Sequence, residues 1–222
     1  MPFTATNPNQ GEKMNKVLPP RLSRYTSISA LIDMLLNKRL FLSDPDYWKD
    51  KTDAHFLKQY AKGKEVRALC FFKDNETNLY WELYAKGGCM IEFDTKKLLG
   101  KIPAKSGFKK GDVEYIKRND FDPKKHSKKL PFIKQLRFEG ESEYRIVWKG
   151  EKKEISIPID FNSINKIFIS GDVKKEIADS LKILIQEIIG KNSPKKIPIN
   201  HSKLYENPHW KKKLTATKGA KK

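Results

Sequence analysis

Apolar residues recur along this chain in short bursts, each bounded by turn formers. Leu22–Tyr25 reads as a short strand. Just after it, Ile28, Leu31, Ile32, Leu35 and Leu36 fall at i, i+3, i+4, i+7 and i+8, one face of a helix, with Ser27 placed to cap it. Arg39–Ser43 reads as a strand that Asp44–Pro45 stops, and residues 44–53 as a turn-rich loop holding Tyr47 and Trp48. Val66–Phe72 is a continuous apolar run, the signature of a strand buried on both faces. Residues 78–88 predict a short helical segment ended by Gly87–Gly88, and Cys89–Asp94 a strand.

The second half continues in the same manner. Asp112–Ile116 predicts one strand in an otherwise loop-like basic stretch, residues 130–138 a short helical segment, and residues 141–148 a strand. A Lys149–Gly150 turn joins that strand to a second over 152–159 in the expected hairpin. Ile164–Ser170 is a further strand. Asp172 then caps a long helix with Val173, Ile177, Leu181, Leu184, Ile185 and Ile188 on one face and Gly190 at its end. Residues 196–205 predict a late strand and loop. This is an α+β pattern: a single domain over 21–210 of short, mostly antiparallel strands, with an N-terminal and a long C-terminal helix. A flexible arm, 1–20, precedes it and a basic tail, 211–222, follows.

Composition narrows the function classes. The 222 residues include 4 Trp, 8 Tyr and 12 Phe, enough large apolar surface for a real core. No stretch approaches the length of a membrane span, and the polar start lacks the apolar region of a secretory signal. Cys70 and Cys89 are too few for a disulfide framework or a zinc quartet, so reduced thiols in a cytoplasm are expected. The formal net charge is +19, and six lysines among the last twelve residues leave +13 on the rest. Such an excess suits a nucleic acid, RNA or single-stranded DNA, through phosphate contacts; an acidic protein such as a neutralising antitoxin suits it as well, and so does lysine scattered over a surface without a partner.

The common nucleotide cradles, GxGxxG and GxxxxGK[ST], are missing, as is a GxSxG elbow. His55, His126, His201 and His209 stand without metal-site spacing, so no metal is expected. The informative segment is Glu141–Trp148. On a strand, Glu141, Glu143, Arg145 and Val147 share one face, and Tyr144, Ile146 and Trp148 share the apolar other. Two carboxylates beside a guanidinium match the needs of glycosidic bond cleavage: one carboxylate stabilises the oxocarbenium-like centre or holds a ribose hydroxyl. A solvated face with a surface ion pair gives the same pattern. Trp81 and Tyr84, three apart, suit stacking on a flat ring or packing in a core. Arg24, with Tyr25 and Thr26, ends the first strand, where it suits a phosphate or ribose or is simply an exposed arginine.

The order of these segments resembles a widespread prokaryotic domain family of unknown function, the two-nine-seven-one family, whose genes often lie near phage-defence and abortive-infection loci. The matching blocks are Arg24–Asp53, Ala68–Asp94, Phe138–Val147, Ile164–Asp172 and Ile199–Glu206. Trp81 with Tyr84 and Glu141-Ser142-Glu143-Tyr144-Arg145 are kept. The family's aromatic–Asn–Asp–Pro run is replaced by Trp48-Lys49-Asp50-Lys51, with Asp50 and Asp53 in their places.

The layout also resembles the ADP-ribosyltransferase fold, which opens on a strand bearing Arg or His and carries its catalytic Glu on a late strand. That resemblance implies an antiphage effector or toxin that transfers ADP-ribose from NAD to a nucleic acid, RNA before DNA. NAD would lie across Arg24, Thr26 and Ser43, with nicotinamide against Tyr84 or Trp81. Glu143 would hold the ribose, Arg145 would orient Glu143, and Glu141 would align the acceptor or take its proton. The competing expectations are a non-catalytic binding module and a magnesium nuclease built on Asp50, Asp53 and Glu141.

Overall fold

The computed structural model describes residues 18–103, 107–204 and 206. Most of the expected arm and all of the expected tail lie outside them.

The chain opens with β1 (Arg21–Thr26), α1 (Ile28–Asn37) and β2 (Arg39–Phe41), then α2 (Lys51–Ala61), β3 (Glu65–Phe72), α3 (Asn78–Tyr84) and β4 (Cys89–Asp94). Next come α4 (Thr95–Gly100), β5 (Phe108–Asp112), β6 (Glu114–Ile116), α5 (Pro123–His126), β7 (Ile133–Gln135) and β8 (Glu143–Gly150). It closes with β9 (Ser156–Pro158), β10 (Ile164–Ile169), α6 (Lys175–Asn192) and β11 (Ile199–His201). This is an α+β fold. Seven strands form one sheet in the order β11-β10-β4-β1-β3-β8-β5, antiparallel but for β10–β11. Two small sheets, β2–β9 and the parallel β6–β7, flank it.

Local chemistry accounts for most of these elements. Ser27 accepts the Ala30 amide and starts α1, and Lys38 stops it in the left-handed region. Alternation sorts the strand residues onto two faces. Leu69, Phe71, Tyr144, Ile146 and Trp148 join α1 and α6 in the larger core. The opposite face carries two smaller clusters. Tyr25, Phe72, Tyr80, Trp81, Ala85 and Met90 form one under α3; Leu57, Ala61, Val66, Ala68 and Val147 form the other under α2.

Several elements differ from the sequence-based expectation. The single strand expected over Asp112–Ile116 is split, Asp112 ending β5 beside β8 and Glu114–Ile116 forming β6 beside β7, because Val113 between them turns the chain from one sheet to the other. Residues 44–53 are not all loop: α2 begins at Lys51, because the Asp50 side chain accepts the Thr52 and Asp53 amides. Residues 130–138 are two 3₁₀ turns around β7 rather than a helix, with Pro131 in the first. The expected 141–159 hairpin does not form; β8 pairs with β3 and β5, whereas β9 pairs with β2. The long helix starts at Lys175, past Asp172, and runs two residues beyond Gly190. It buries Ala178, Ile185, Ile188 and Ile189 and leaves Ile177 and Leu184 exposed. No described helix is long and apolar enough to cross a membrane.

Candidate active site

The site begins at an interruption in the sheet. Ala68, Cys70 and Phe72 turn their backbone polar groups to the same edge of β3, since the period is two. Phe72 meets Ser23 of β1 there, the one register at which β1 and β3 pair. At Ala68 the edge is taken instead by Ser43, whose amide and carbonyl both bond Ala68, at 2.8 and 3.0 Å. Cys70 lies between, and its carbonyl accepts Arg24 Nη1 at 2.9 Å. A guanidinium thus fills a rung that the ladder leaves open. Gly88 is needed beside this point, because a Cβ there would lie 2.2 Å from the Thr26 carbonyl oxygen.

Over the interruption, between α2 and α3, opens a cleft of about 720 Å³. Arg24, Thr26 and Ser27 line one wall; Ser43, Trp48 and the start of α2 line another; Leu83 and Tyr84 of α3 and residues 134–143 close it. The volume falls within the range of small-molecule sites.

Beneath the cleft lies a buried charge cluster. Asp53, Lys134, Glu141, Glu143 and Arg145 are 3, 6, 4, 2 and 0 % exposed. Arg145 grips both oxygens of Asp53 at 2.8 Å and donates to Glu143 Oε2 at 2.8 Å and to the Pro131 carbonyl at 3.0 Å. Lys134 Nζ donates to Glu141 Oε2 at 2.6 Å and Glu143 Oε1 at 2.8 Å. The Glu143 amide donates to the Tyr115 hydroxyl at 2.9 Å.

Three carboxylates therefore face two cations; burial raises the Asp53 carboxyl against the pull of Arg145, and Glu141, the carboxylate with the fewest cationic contacts, is raised as well. Burial works to raise the Glu143 carboxyl, but Arg145 and Lys134 overcome it and hold it well below the usual carboxylate range. Burial and the hydrogen bond shared with Glu143 push Glu141 up to about 7, against the pull of Lys134. Burial also raises the Cys70 thiol and the Tyr84 hydroxyl, so neither is an anion near neutral pH. One wall thus holds a permanent anion beside a carboxyl that exchanges its proton near neutrality, a pairing suited to acid–base work at a glycosidic bond.

Most of the expected residues meet here. Arg24, Thr26, Ser43, Tyr84, Glu141 and Glu143 all line the cleft. Two do not reach it. Trp81 is fully buried in the aromatic cluster and donates its indole N–H to Glu76 at 2.8 Å, so it offers no ring face to a ligand. Arg145 lies behind Glu143 and touches it from below. Glu141 belongs to the 3₁₀ turn before β8, with Ser142 at φ 45° between it and the strand. The polar face of β8 is not solvated: Asp53 of α2, Lys134 of β7 and the Pro131 carbonyl bond to the buried Glu143 and Arg145. Lys134, Asp53 as the partner of Arg145, and Tyr115 went unrecognised as site residues. Asp53 had a signal in its place after Trp48 and Asp50; Lys134 had none, being one lysine among many. Asp50, Asp53 and Glu141 of the magnesium reading line the same cleft, but among the described residues no three His, Cys, Asp or Glu side chains are grouped so as to hold a metal ion, and Asp53 is engaged on both oxygens by Arg145.

No family model matches the chain, and no curated protein does. Similarity is found to solved structures of the DarT protein of Thermus sp. 2.9. The complex with ADP-ribosylated single-stranded DNA aligns at 10 % identity and TM-score 0.46, covering 83 % of this chain and 95 % of that one. The carba-NAD+ complex aligns at 13 % and 0.43, covering 83 and 96 %. The NAD+ complex aligns at 9 % and 0.44, again covering 83 and 96 %.

Proposed function

We propose that this chain is a mono-ADP-ribosyltransferase that takes NAD as donor and a single-stranded nucleic acid, RNA first, as acceptor. The carrying observation is that Glu141 and Glu143, bridged by one lysine, share a single cleft with Arg24, Thr26, Ser43 and Tyr84. Arg24 and the hydroxyls of Thr26 and Ser27, at the start of α1, suit the pyrophosphate. Tyr84 offers its ring to nicotinamide. Glu143 accepts a hydrogen bond from the ribose and stabilises positive charge on the sugar. The bond from ribose C1 to the nicotinamide nitrogen breaks, its electron pair leaving with neutral nicotinamide. The acceptor nitrogen or oxygen bonds to C1, and its proton passes to ionised Glu141. Arg145 keeps Glu143 charged and oriented from behind. Lys49, Lys51 and Arg137 at the mouth would meet acceptor phosphates.

The order of segments in the chain supports placing it with the two-nine-seven-one family, and with it a toxin or antiphage role in the cytoplasm, restrained by an acidic antitoxin. The test is label transfer from NAD to RNA, single-stranded DNA or protein by wild type and by Glu143→Gln. Transfer to nucleic acid by wild type alone supports the reading. No transfer and no loss of NAD removes it, leaving a basic binding module, whose RNA affinity would fall steeply with salt while NAD left its melting temperature unchanged. Growth arrest on induction of wild type, relieved by Glu143→Gln, supports the toxin role.

A further inference from the structure

The group that the proposed reaction does not yet use is Lys134. A buried lysine is costly, and this one is placed with care. It sits on β7, opposite Tyr115 of β6 in the register of the small parallel sheet. That sheet brings two side chains onto the first residue of β8: the Tyr115 hydroxyl accepts the Glu143 amide, and the Lys134 ammonium reaches the Glu143 carboxylate. Nζ also lies 2.6 Å from Glu141, 3.9 Å from Asp53 and 4.9 Å from the Phe138 ring.

We propose that Lys134 is a positioning residue: its ammonium, fixed between Glu141 and Glu143, keeps Glu141 able to give up and take back a proton, while Arg145, which touches Glu143 alone of the two, makes Glu143 the standing anion. Without Lys134, Arg145 still holds Glu143 as an anion, so Glu141, buried beside that anion and left with no cation in contact, keeps its proton and cannot act as a base. Arg145 cannot replace Lys134 in this, because its donors go to Asp53, Glu143 and Pro131 and none goes to Glu141. The Tyr84 and Tyr80 hydroxyls from α3 and Tyr115 from β6 also bear on Glu141 and are not cations, and Arg137, on the same 3₁₀ segment as Glu141, lines the cleft too. Lys134 is the cation that donates a hydrogen bond to Glu141. The assignment of a proton-accepting role rests on the transferase reading; the clamp itself does not.

The experiment follows the glutamate carboxyl resonances of the full chain across pH by NMR with ¹³C-labelled glutamate, without NAD, in wild type, Lys134→Gln and Lys134→Arg. Glu141→Gln assigns the signal. Lys134→Gln should move the Glu141 midpoint up by about one pH unit or more, and Lys134→Arg should return most of it. With NAD and acceptor, Lys134→Gln should lower kcat about tenfold or more with KM for NAD changed less than about threefold. An unmoved Glu141 midpoint in folded Lys134→Gln overturns the clamp, as does a loss confined to KM. If Lys134→Gln does not fold, the charge-balanced pair Lys134→Gln/Glu141→Gln should fold; failure of both makes Lys134 a packing residue and overturns the proposal. A shifted midpoint in a chain that transfers nothing refutes the transferase reading and leaves the clamp standing.

Discussion

Replacing Arg145 with methionine tests the buried cluster most directly. The substitution keeps an unbranched apolar stem and removes the guanidinium. Both oxygens of Asp53 then lose 2.8 Å partners, Glu143 Oε2 loses its closest one, and the Pro131 carbonyl loses a donor. Removing one partner of a buried ion pair costs about 3–5 kcal/mol, because the other charge is left without compensation. At about 2–4 °C per kcal/mol for a chain of this size, the melting temperature should fall by roughly 6–20 °C. The stranded carboxylates would take up protons more readily, so the deficit should shrink as pH falls from 8 to 5. Calorimetry of wild type and Arg145→Met at several pH values measures both effects. A loss under about 1 kcal/mol, the range of a solvent-exposed pair, would refute the claim that α2 and the Pro131 turn bury this face of β8.

Further outcomes follow from individual residues. The Glu141 carboxyl titrates near 7 in the folded chain, above the ordinary value of an unfolded glutamate. Between those two values the native state holds more protons than the unfolded one, so its stability falls as pH rises through that window. Glu141→Gln should thus be the more stable protein at pH 8, by on the order of 3 kcal/mol, with the advantage gone near pH 4; urea melts check it. The same group should give transfer activity an ascending limb near pH 7, and Glu141→Gln should abolish that limb in a pH–rate profile. Trp81→Phe should lower stability by about 1–3 kcal/mol, since Glu76 loses its indole donor, while leaving KM for NAD unchanged. Tyr84→Ala should raise that KM, a contrast that steady-state kinetics resolves.

The chain's own periodicity determined much of this protein. A 3.6-residue rhythm with Ser27 before it is enough for α1, and the alternation of Tyr144, Ile146 and Trp148 is enough to aim that face of β8 at the core, because both are local consequences of backbone geometry. The resemblance of layout implied that Arg24, Thr26 and Ser43 would lie near Glu143, and all four line one cleft. What alternation does not encode is the surroundings of the opposite face. On pattern alone Glu143 and Arg145 suit a solvated face as well as a site, because charged residues are usually exposed. Only the tertiary structure brings Asp53, 92 residues away, onto Arg145, and Lys134 between the two glutamates. Charge balance in a low dielectric is a property of the whole cluster, and no run of neighbouring residues carries it. The same holds for Trp81 and Tyr84: their spacing puts them on one helical turn, but which ring meets the cleft depends on how α3 lies on β1, a matter of packing settled by Tyr25 and Phe72.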